Sequence, residues 1–487
     1  MTISNREHYT MKKILLVGIS LAIPNMAISA SHNHPNVVII MADDMGWGDV
    51  GFNGNVVIKT PNLDSLSKEG IVLERFYSAA PLSSPTRASV LTGRHPFRTG
   101  VFSANVGILR QSESTIAELL KNRGYATGLF GKWHLGTLTY NENDANRGQP
   151  ENKHLYNPPS WHGFDEYFVT ESKVPTYDPM IQPIKNDGRF WDYIQDGDSY
   201  RPYGTSYWEK GEVKVSKDLR GDDSRIIVDR ALNFMTKSIE KNIPFLSVIW
   251  FHAPHLPCVA GPQYVSLYKN LPKDQRNYYG CITALDNQIG RVVQYLKVNK
   301  VFDNSIILFC SDNGPELETP GSPGNFLGKK RSLHEGGIRV PSIMCYPAKI
   351  SRGIKFDIPC STLDYMPTVL DILKVPTHGQ LVLDGESLWP LIKHKSLCRK
   401  RPLVFCSDKQ GAVIDGDYKL YYSKGKSELY QIVKDPEEKK DLSLVNQKKT
   451  NELLQYLKMK TEDYRLSFES GKNENHAYWQ DWWDIWK

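Results

Sequence analysis

Four short apolar runs, each halted abruptly by charged or polar residues, limit the fold of this chain more than any other feature. Residues 37–42 stop at Asp43-Asp44, residues 126–130 at Gly131-Lys132-Trp133-His134, residues 245–251 at His252-Ala253-Pro254-His255, and residues 305–310 at Ser311-Asp312-Asn313-Gly314. Their shortness and their β-branched and aromatic content favour buried strands over helices. Amphipathic stretches fall between them, such as residues 115–122, closed by Gly124, and residues 286–298. Strands alternating with helices predict an α/β fold, a mostly parallel sheet sandwiched by helices. Such sheets bind ligands beyond the carboxyl ends of their strands, so all four polar clusters are expected on one rim.

At 487 residues the chain exceeds the usual size of a single core, and two domains are expected. The large α/β unit is placed at 35–375, and a small C-terminal α+β unit at 376–487. The latter is read from short alternating runs at 403–405 and 418–422 and a late helix over 450–459. Residues 140–222 are irregular and rich in Asn, Asp, Gly, Pro, Tyr and Trp, which fits long loops over the rim. Residues 1–30 read as a secretory signal peptide, with Lys12-Lys13, an apolar run and small residues at Ala27-Ile28-Ser29-Ala30; Met11 is a candidate start. That apolar run is too short to span a bilayer, and no later stretch reaches the ~20 apolar residues a membrane helix needs. An exported protein, periplasmic or extracellular, is expected.

The net charge is +6, and removing residues 1–30, with Arg6, Lys12 and Lys13 against Glu7, leaves about +4. So small and dispersed an excess argues against a nucleic-acid partner. Seven cysteines (Cys258, Cys281, Cys310, Cys345, Cys360, Cys398 and Cys406) show no CxxC or zinc spacing. The odd number leaves at least one thiol unpaired within a chain, and spacing does not assign pairs.

Asp43-Asp44 and Asp312-Asn313 offer hard oxygen donors and no thiolate, a set suited to Ca²⁺, with Mg²⁺ as the alternative. An isolated Asp pair after a strand is more often a helix cap, but two such clusters together with the string that begins at Ser83 favour a cation. A single His at a strand end is more often a satisfied structural residue, and His252 is the candidate for that role. A single Lys is usually a solvated surface charge.

Ser83-Ser84-Pro85-Thr86-Arg87, continuing through Thr92-Gly93-Arg94, adds a further motif. With Thr60-Pro61-Asn62-Leu63-Asp64, Gly131 to Gly136, His252 to His255, Ser311 to Gly314 and Gly328 through Glu335-Gly336-Gly337 to Pro341, the chain resembles the type I sulfatases from about residue 35 to 375. Weaker likeness extends to about 445. The resemblance implies an alkaline-phosphatase-like large domain and conversion of Ser83 to formylglycine by a maturation enzyme; much of that family carries Cys at this position. A hydrated aldehyde presents two hydroxyls on one carbon, one to attack sulfur and one to expel sulfate later. Dividing one hydrolysis into two steps is the gain from covalent catalysis.

Carried onto this sequence, the resemblance implies metal ligands Asp43, Asp44, Asp312, Asn313 and the modified Ser83. Arg87 would orient the residue-83 hydrate. Lys132 and Lys330 would hold sulfate oxygens and stabilise the charge that spreads in the transition state, with Lys329 the fallback for Lys330. His255 would protonate the leaving oxygen, His134 would take the proton from the second hydroxyl, and Asp312 is a further acceptor for the attacking one. His334 is given no catalytic role.

The Ala42-to-Asp49 segment is close to enzymes acting on galactose or N-acetylgalactosamine units. A sulfated glycan, from glycosaminoglycan, mucin or algae, is therefore the expected substrate. Tyr177, Trp191, Tyr193, Tyr200, Tyr203, Tyr207 and Trp208, with Arg189, Arg201 and Lys210, are candidate sugar platforms or simply loop packing. Trp479, Trp482, Trp483 and Trp486 add to that set. Two other readings stay open: a phosphoester hydrolase using unmodified Ser83, and an inactive glycan-binding protein.

Overall fold

The computed structural model of the chain describes residues 34–377, 382–394, 398–471 and 486. The expected leader, Trp479, Trp482 and Trp483 lie outside the described residues.

Ten strands form the main sheet. In chain order they are β1 (Asn36–Ala42), β2 (Ile71–Leu73), β3 (Ala126–Lys132), β4 (Glu166–Thr170), β5 (Trp208–Glu209), β6 (Val213–Lys214), β7 (Phe245–Trp250), β8 (Ser305–Ser311), β9 (Ser342–Cys345) and β10 (Ile354–Phe356). Their order across the sheet is β10-β2-β9-β8-β1-β7-β3-β4-β5-β6. The central five, β8-β1-β7-β3-β4, are parallel, and the four apolar runs occupy adjacent places among them. Antiparallel pairs begin only outside them, at β8–β9 and β4–β5.

Alternation along β1 divides its side chains between two cores. Val37, Ile39 and Met41 point to one face, Val38, Ile40 and Ala42 to the other, and all are fully buried. This is the two-sided burial that makes parallel strands read as unbroken apolar runs. The first face is covered by α2 (Ser83–Thr92), α3 (Ile116–Lys121) and α6 (Tyr365–Ile372). The second is covered by α1 (Pro61–Glu69), α4 (Asp223–Glu240) and α5 (Lys273–Val298). Helix α3 keeps the predicted limits, with a capping box in which Thr115 accepts from the Glu118 amide. Helix α5 starts thirteen residues before the expected position; its first half packs Tyr278, Cys281, Ile282 and Leu285 into the second core and Ala284 against Ala260 and Tyr264.

Near the C-terminus, β11 (Leu403–Ser407), β12 (Gln410–Asp415), β13 (Tyr418–Ser423) and β14 (Lys426–Gln431) form an antiparallel meander. Helix α7 (Gln447–Glu469), longer than the periodic stretch at 450–459, packs Leu453 and Leu457 on one face of this sheet beside Val413 and Leu420. The other face sets Phe405 and Ile414 against Tyr77, Leu333 and Ile338 of the large sheet's surroundings. Leu388 and Leu391, in the segment between, pack into the first core of the large sheet. No helix among the described residues is long and apolar enough to cross a membrane. All seven cysteines are free thiols, six of them buried.

Candidate active site

The carboxyl ends of the five parallel strands meet at one cavity of about 640 Å³. β7 is followed by His255, β3 ends on Lys132 with His134 two residues on, and β4 leads to Ser172 and Lys173, all in the wall. β1 is followed by Asp43 and Asp44, bonded to the wall residues Ser83, Lys132 and Lys330, and β8 by Asp312 and Asn313. Ser83 is the first residue of α2, a helix buried along its whole length, and Arg87 lies one turn further. The N-terminal turn of a buried helix presents free N–H groups, which favour an anion nearby.

Ser83 Oγ donates to Asp43 Oδ1 at 3.1 Å. Lys132 Nζ donates to Asp43 Oδ2 at 2.6 Å, and Lys330 Nζ to Asp44 Oδ2 at 2.6 Å. Arg87 joins two strands, donating from Nη2 to Asp312 Oδ2 at 2.9 Å and from Nη1 to the Lys132 carbonyl at 3.0 Å. Its Nη2 also lies 3.3 Å from Asp43 Oδ2. Asn313 Nδ2 donates to Asp44 Oδ1 at 2.7 Å, and the Asp44 amide donates to Asp312 Oδ1 at 3.1 Å. Lys329 points elsewhere, to the Thr319 carbonyl at 3.2 Å. Asp43, Asp44, Ser83, Arg87, Lys132, Asp312, Asn313 and Lys330 are therefore brought together.

The electrostatics follow from burying three carboxylates among three cations. Burial would push Asp43 upward, but Lys132, His255, Arg87 and Lys330 outweigh it and hold the carboxyl well below its usual range. Burial, with the Asp43 charge beside it, raises Asp44 and brings Asp312 up to about 7. Carboxylates crowded enough to resist ionisation fit a bound cation, which relieves both burial and repulsion. Asn313 Oδ1, buried and without a hydrogen-bond partner, is aimed into the same cluster and adds an oxygen donor. Acceptor atoms of Asp43, Asp44 and His255 lie within 4.8 Å of one another. An oxygen-rich set without thiolate suits a hard divalent ion.

The two cavity histidines have fixed tautomers. His255 Nδ1 donates to the Leu256 carbonyl at 2.6 Å, leaving Nε2 facing Asp44 Oδ2 at 3.6 Å. His134 Nε2 donates to Asn105 Oδ1 at 3.2 Å, and its Nδ1 is buried without a hydrogen-bond partner. Burial lowers both imidazoles well below their ordinary value, helped by Lys330 at His255 and by Lys132 at His134. His252 is different: it lies fully buried between Thr170 Oγ1 (2.7 Å) and Asp223 Oδ2 (2.8 Å), a satisfied structural residue. His334 stacks on Tyr421 at 4.1 Å, outside the cavity wall.

Sequence reading missed part of the wall. Lys173, Asn105, Asn146 and the hairpin residues Ser407 and Asp408 all line the cavity, beside Arg189, a candidate already named from the sequence. Lys173 is lowered by burial and by the charge of Lys330. The aromatic platform is absent: among the described residues no Phe, Tyr or Trp lines the cavity. Tyr207 instead stacks on Phe168 at 4.1 Å, and Trp208 Nε1 donates to Asp144 Oδ2 at 3.0 Å.

The sulfatase family model matches residues 35–375, the span that contains the sheet, Ser83 and every residue of the carboxylate cluster. The chain belongs to the sulfatase family. A second model, the C-terminal part of N-sulphoglucosamine sulphohydrolase, matches residues 324–467 of this sulfatase. It is 30% identical over 428 residues to the N-acetylgalactosamine-6-sulfatase of Canis lupus familiaris, covering 84% of this chain and 75% of that protein. It is 31% identical to the arylsulfatase G of Rattus norvegicus, over 80% and 76% of the two chains. Among solved structures it is similar to Ps i-CgsB in complex with k-i-k-neocarrahexaose, with TM-score 0.73 and 28% identity over 91% of this chain and 99% of that one. A phosphonate monoester hydrolase of Agrobacterium radiobacter, 19% identical with TM-score 0.61, shares the fold. This sulfatase is a sulfuric ester hydrolase with an alkaline-phosphatase-like fold.

Proposed function

We infer that the enzyme removes sulfate from a sulfated carbohydrate, using residue 83 after its oxidation from serine to formylglycine. The observation that supports this best is the placement of Ser83 Oγ, 3.1 Å from Asp43 and ringed by Lys132, Arg87 and Lys330. An unmodified serine hydroxyl among these groups is a weak nucleophile; the oxidised side chain supplies, when hydrated, a second hydroxyl on the same carbon. A host enzyme that oxidises Ser83 is the implied maturation partner. Asp43, Asp44, Asp312 and Asn313, with residue 83, would hold a Ca²⁺, or Mg²⁺ in its place, whose charge favours the deprotonated nucleophile.

Arg87 fixes the orientation of residue 83 through its hold on Asp43 and Asp312. Lys132 and Lys330 bind the sulfate oxygens and stabilise charge in the transition state. His255 Nε2 gives its proton to the leaving oxygen. Burial and then the Lys330 charge hold that imidazole low in the free enzyme, and a sulfate seated on Lys330 would offset the second of these. Asp312 accepts a proton from the attacking hydroxyl, and His134 Nδ1, already unpartnered, takes the proton of the remaining one.

The substrate class is read from three supports: the N-acetylgalactosamine-6-sulfatase relatives, the oligosaccharide in the Ps i-CgsB structure, and a wall of Lys, Arg, Asn and Ser suited to an anionic polyhydroxyl ligand. Galactose or N-acetylgalactosamine units are the proposed sugars. Export through the segment at 1–30, and a division into a catalytic unit at 35–375 and a C-terminal unit at 376–487, belong to the same proposal. A panel of position-defined sulfated saccharides, paired with the matching phosphate esters, tests it. Turnover of sulfated galactose or N-acetylgalactosamine units, with phosphate esters slower, is expected; faster phosphate release would favour the phosphoesterase that the shared fold also permits.

A further inference from the structure

The segment that carries Lys330 has no regular structure of its own between Gly328 and the short helix Glu335–Ile338. Its course is set by contacts from outside. The Lys330 amide donates to the Pro315 carbonyl and the Arg331 amide to the Pro81 carbonyl, each at 3.0 Å. Arg331 sits at φ +74°, in the left-handed region that a branched or bulky L residue rarely adopts unless its surroundings require it.

The C-terminal meander supplies the remaining hold. Gln410, the first residue of β12, donates from Nε2 to the Arg331 carbonyl at 2.9 Å and accepts from the Leu333 amide at Oε1 at 3.1 Å. One primary amide thus closes a two-point clamp across the residues that follow Lys330. Tyr421 OH on the neighbouring strand donates to the same Oε1 at 3.2 Å and fixes the orientation of the amide. The hairpin that ends on Gln410 also places Ser407 and Asp408 in the cavity wall. The clamp and this part of the wall therefore belong to one hairpin.

We propose that Gln410 is a positioning residue: through its clamp on Arg331 and Leu333 it holds the backbone that sets Lys330 Nζ against the sulfate. The proposal rests on the reading of Lys330 as a sulfate ligand. An ammonium on a four-carbon stem is a compact charge without the fork of a guanidinium, so its registration depends on where its own backbone stands. A shift of the order of 1 Å in such a group costs roughly 10²-fold in rate.

The test is a double-mutant cycle on the full-length enzyme, reading kcat/KM on a sulfate ester and inhibition by inorganic sulfate. Gln410→Ala is expected to lower kcat/KM by about 10- to 100-fold and to weaken sulfate inhibition, with the melting temperature little changed. Tyr421→Phe, which keeps the ring and removes only the hydroxyl, is expected to act several-fold in the same direction, and it serves if Gln410→Ala folds poorly. In a Lys330→Ala background both substitutions should have almost no further effect, the signature of coupling through one residue. Losses of equal size in both backgrounds would overturn the positioning role. Full activity in Lys330→Ala alone would instead remove the sulfate-binding reading, and the proposal with it.

Discussion

His252 and His255 stand three residues apart and divide structure from chemistry. His252 spends both ring nitrogens on buried partners, while His255 keeps Nε2 facing the carboxylate cluster. His255→Ala is expected to lower kcat by about 10²- to 10⁴-fold, the usual worth of a general acid. Substrate binding should persist, and rapid-quench kinetics with an equilibrium binding assay checks the pair of outcomes. His252→Ala takes one partner each from two buried groups, leaving Asp223 with the Tyr207 hydroxyl and Thr170 with the Ser172 carbonyl. A loss of about 2–4 kcal/mol in stability is expected in denaturant titration, with the folded fraction retaining turnover. Residue identities at strand ends were legible because oxygen-rich and basic clusters interrupt apolar runs. Lys173 and Asp408 were not, since each comes from a segment without periodicity and is placed only by the fold around it.

At the scale of the element, the strands explain why the site is rigid. Gly131 lies one residue before Lys132 at φ +109°, and a Cβ there would stand 1.8 Å from the Trp250 carbonyl of β7. Gly131→Ala therefore forces β3 and β7 apart at the point where Lys132 is aimed. A loss of about 3 kcal/mol or more is expected, together with a fall in kcat beyond that of the unfolded fraction, read by calorimetry and active-site titration. Four of the five parallel strands were visible as apolar runs. β4 was hidden because its apolar run, Tyr167-Phe168-Val169, is only three residues long and lies within the loop-rich stretch. Of the two readings left open for the aromatics, packing holds for Tyr207 and Trp208: large rings carry the greatest apolar area, and both pack that stretch onto the sheet.

At the scale of the whole molecule, the C-terminal meander is joined to the catalytic sheet by buried charge. Lys419 Nζ lies 3.0 Å from both Glu335 and Glu438, all fully or almost fully buried, and the Glu335 amide donates to Glu438 Oε2 at 2.7 Å. Lys419→Ala removes the fully buried cation between these two carboxylates, leaving Glu335 with Tyr77 and Arg339 and Glu438 with His334 and the Glu335 amide. It is expected to cost about 3 kcal/mol, measured by chemical denaturation. The central claim concerns residue 83, and the mass of the tryptic peptide 76–87 from active enzyme made in its own host tests it most directly. The account predicts a peptide about 2 Da lighter than the encoded one, since oxidation of a serine to an aldehyde removes two hydrogens, with no turnover in Ser83→Ala. An unmodified serine in fully active enzyme would contradict it.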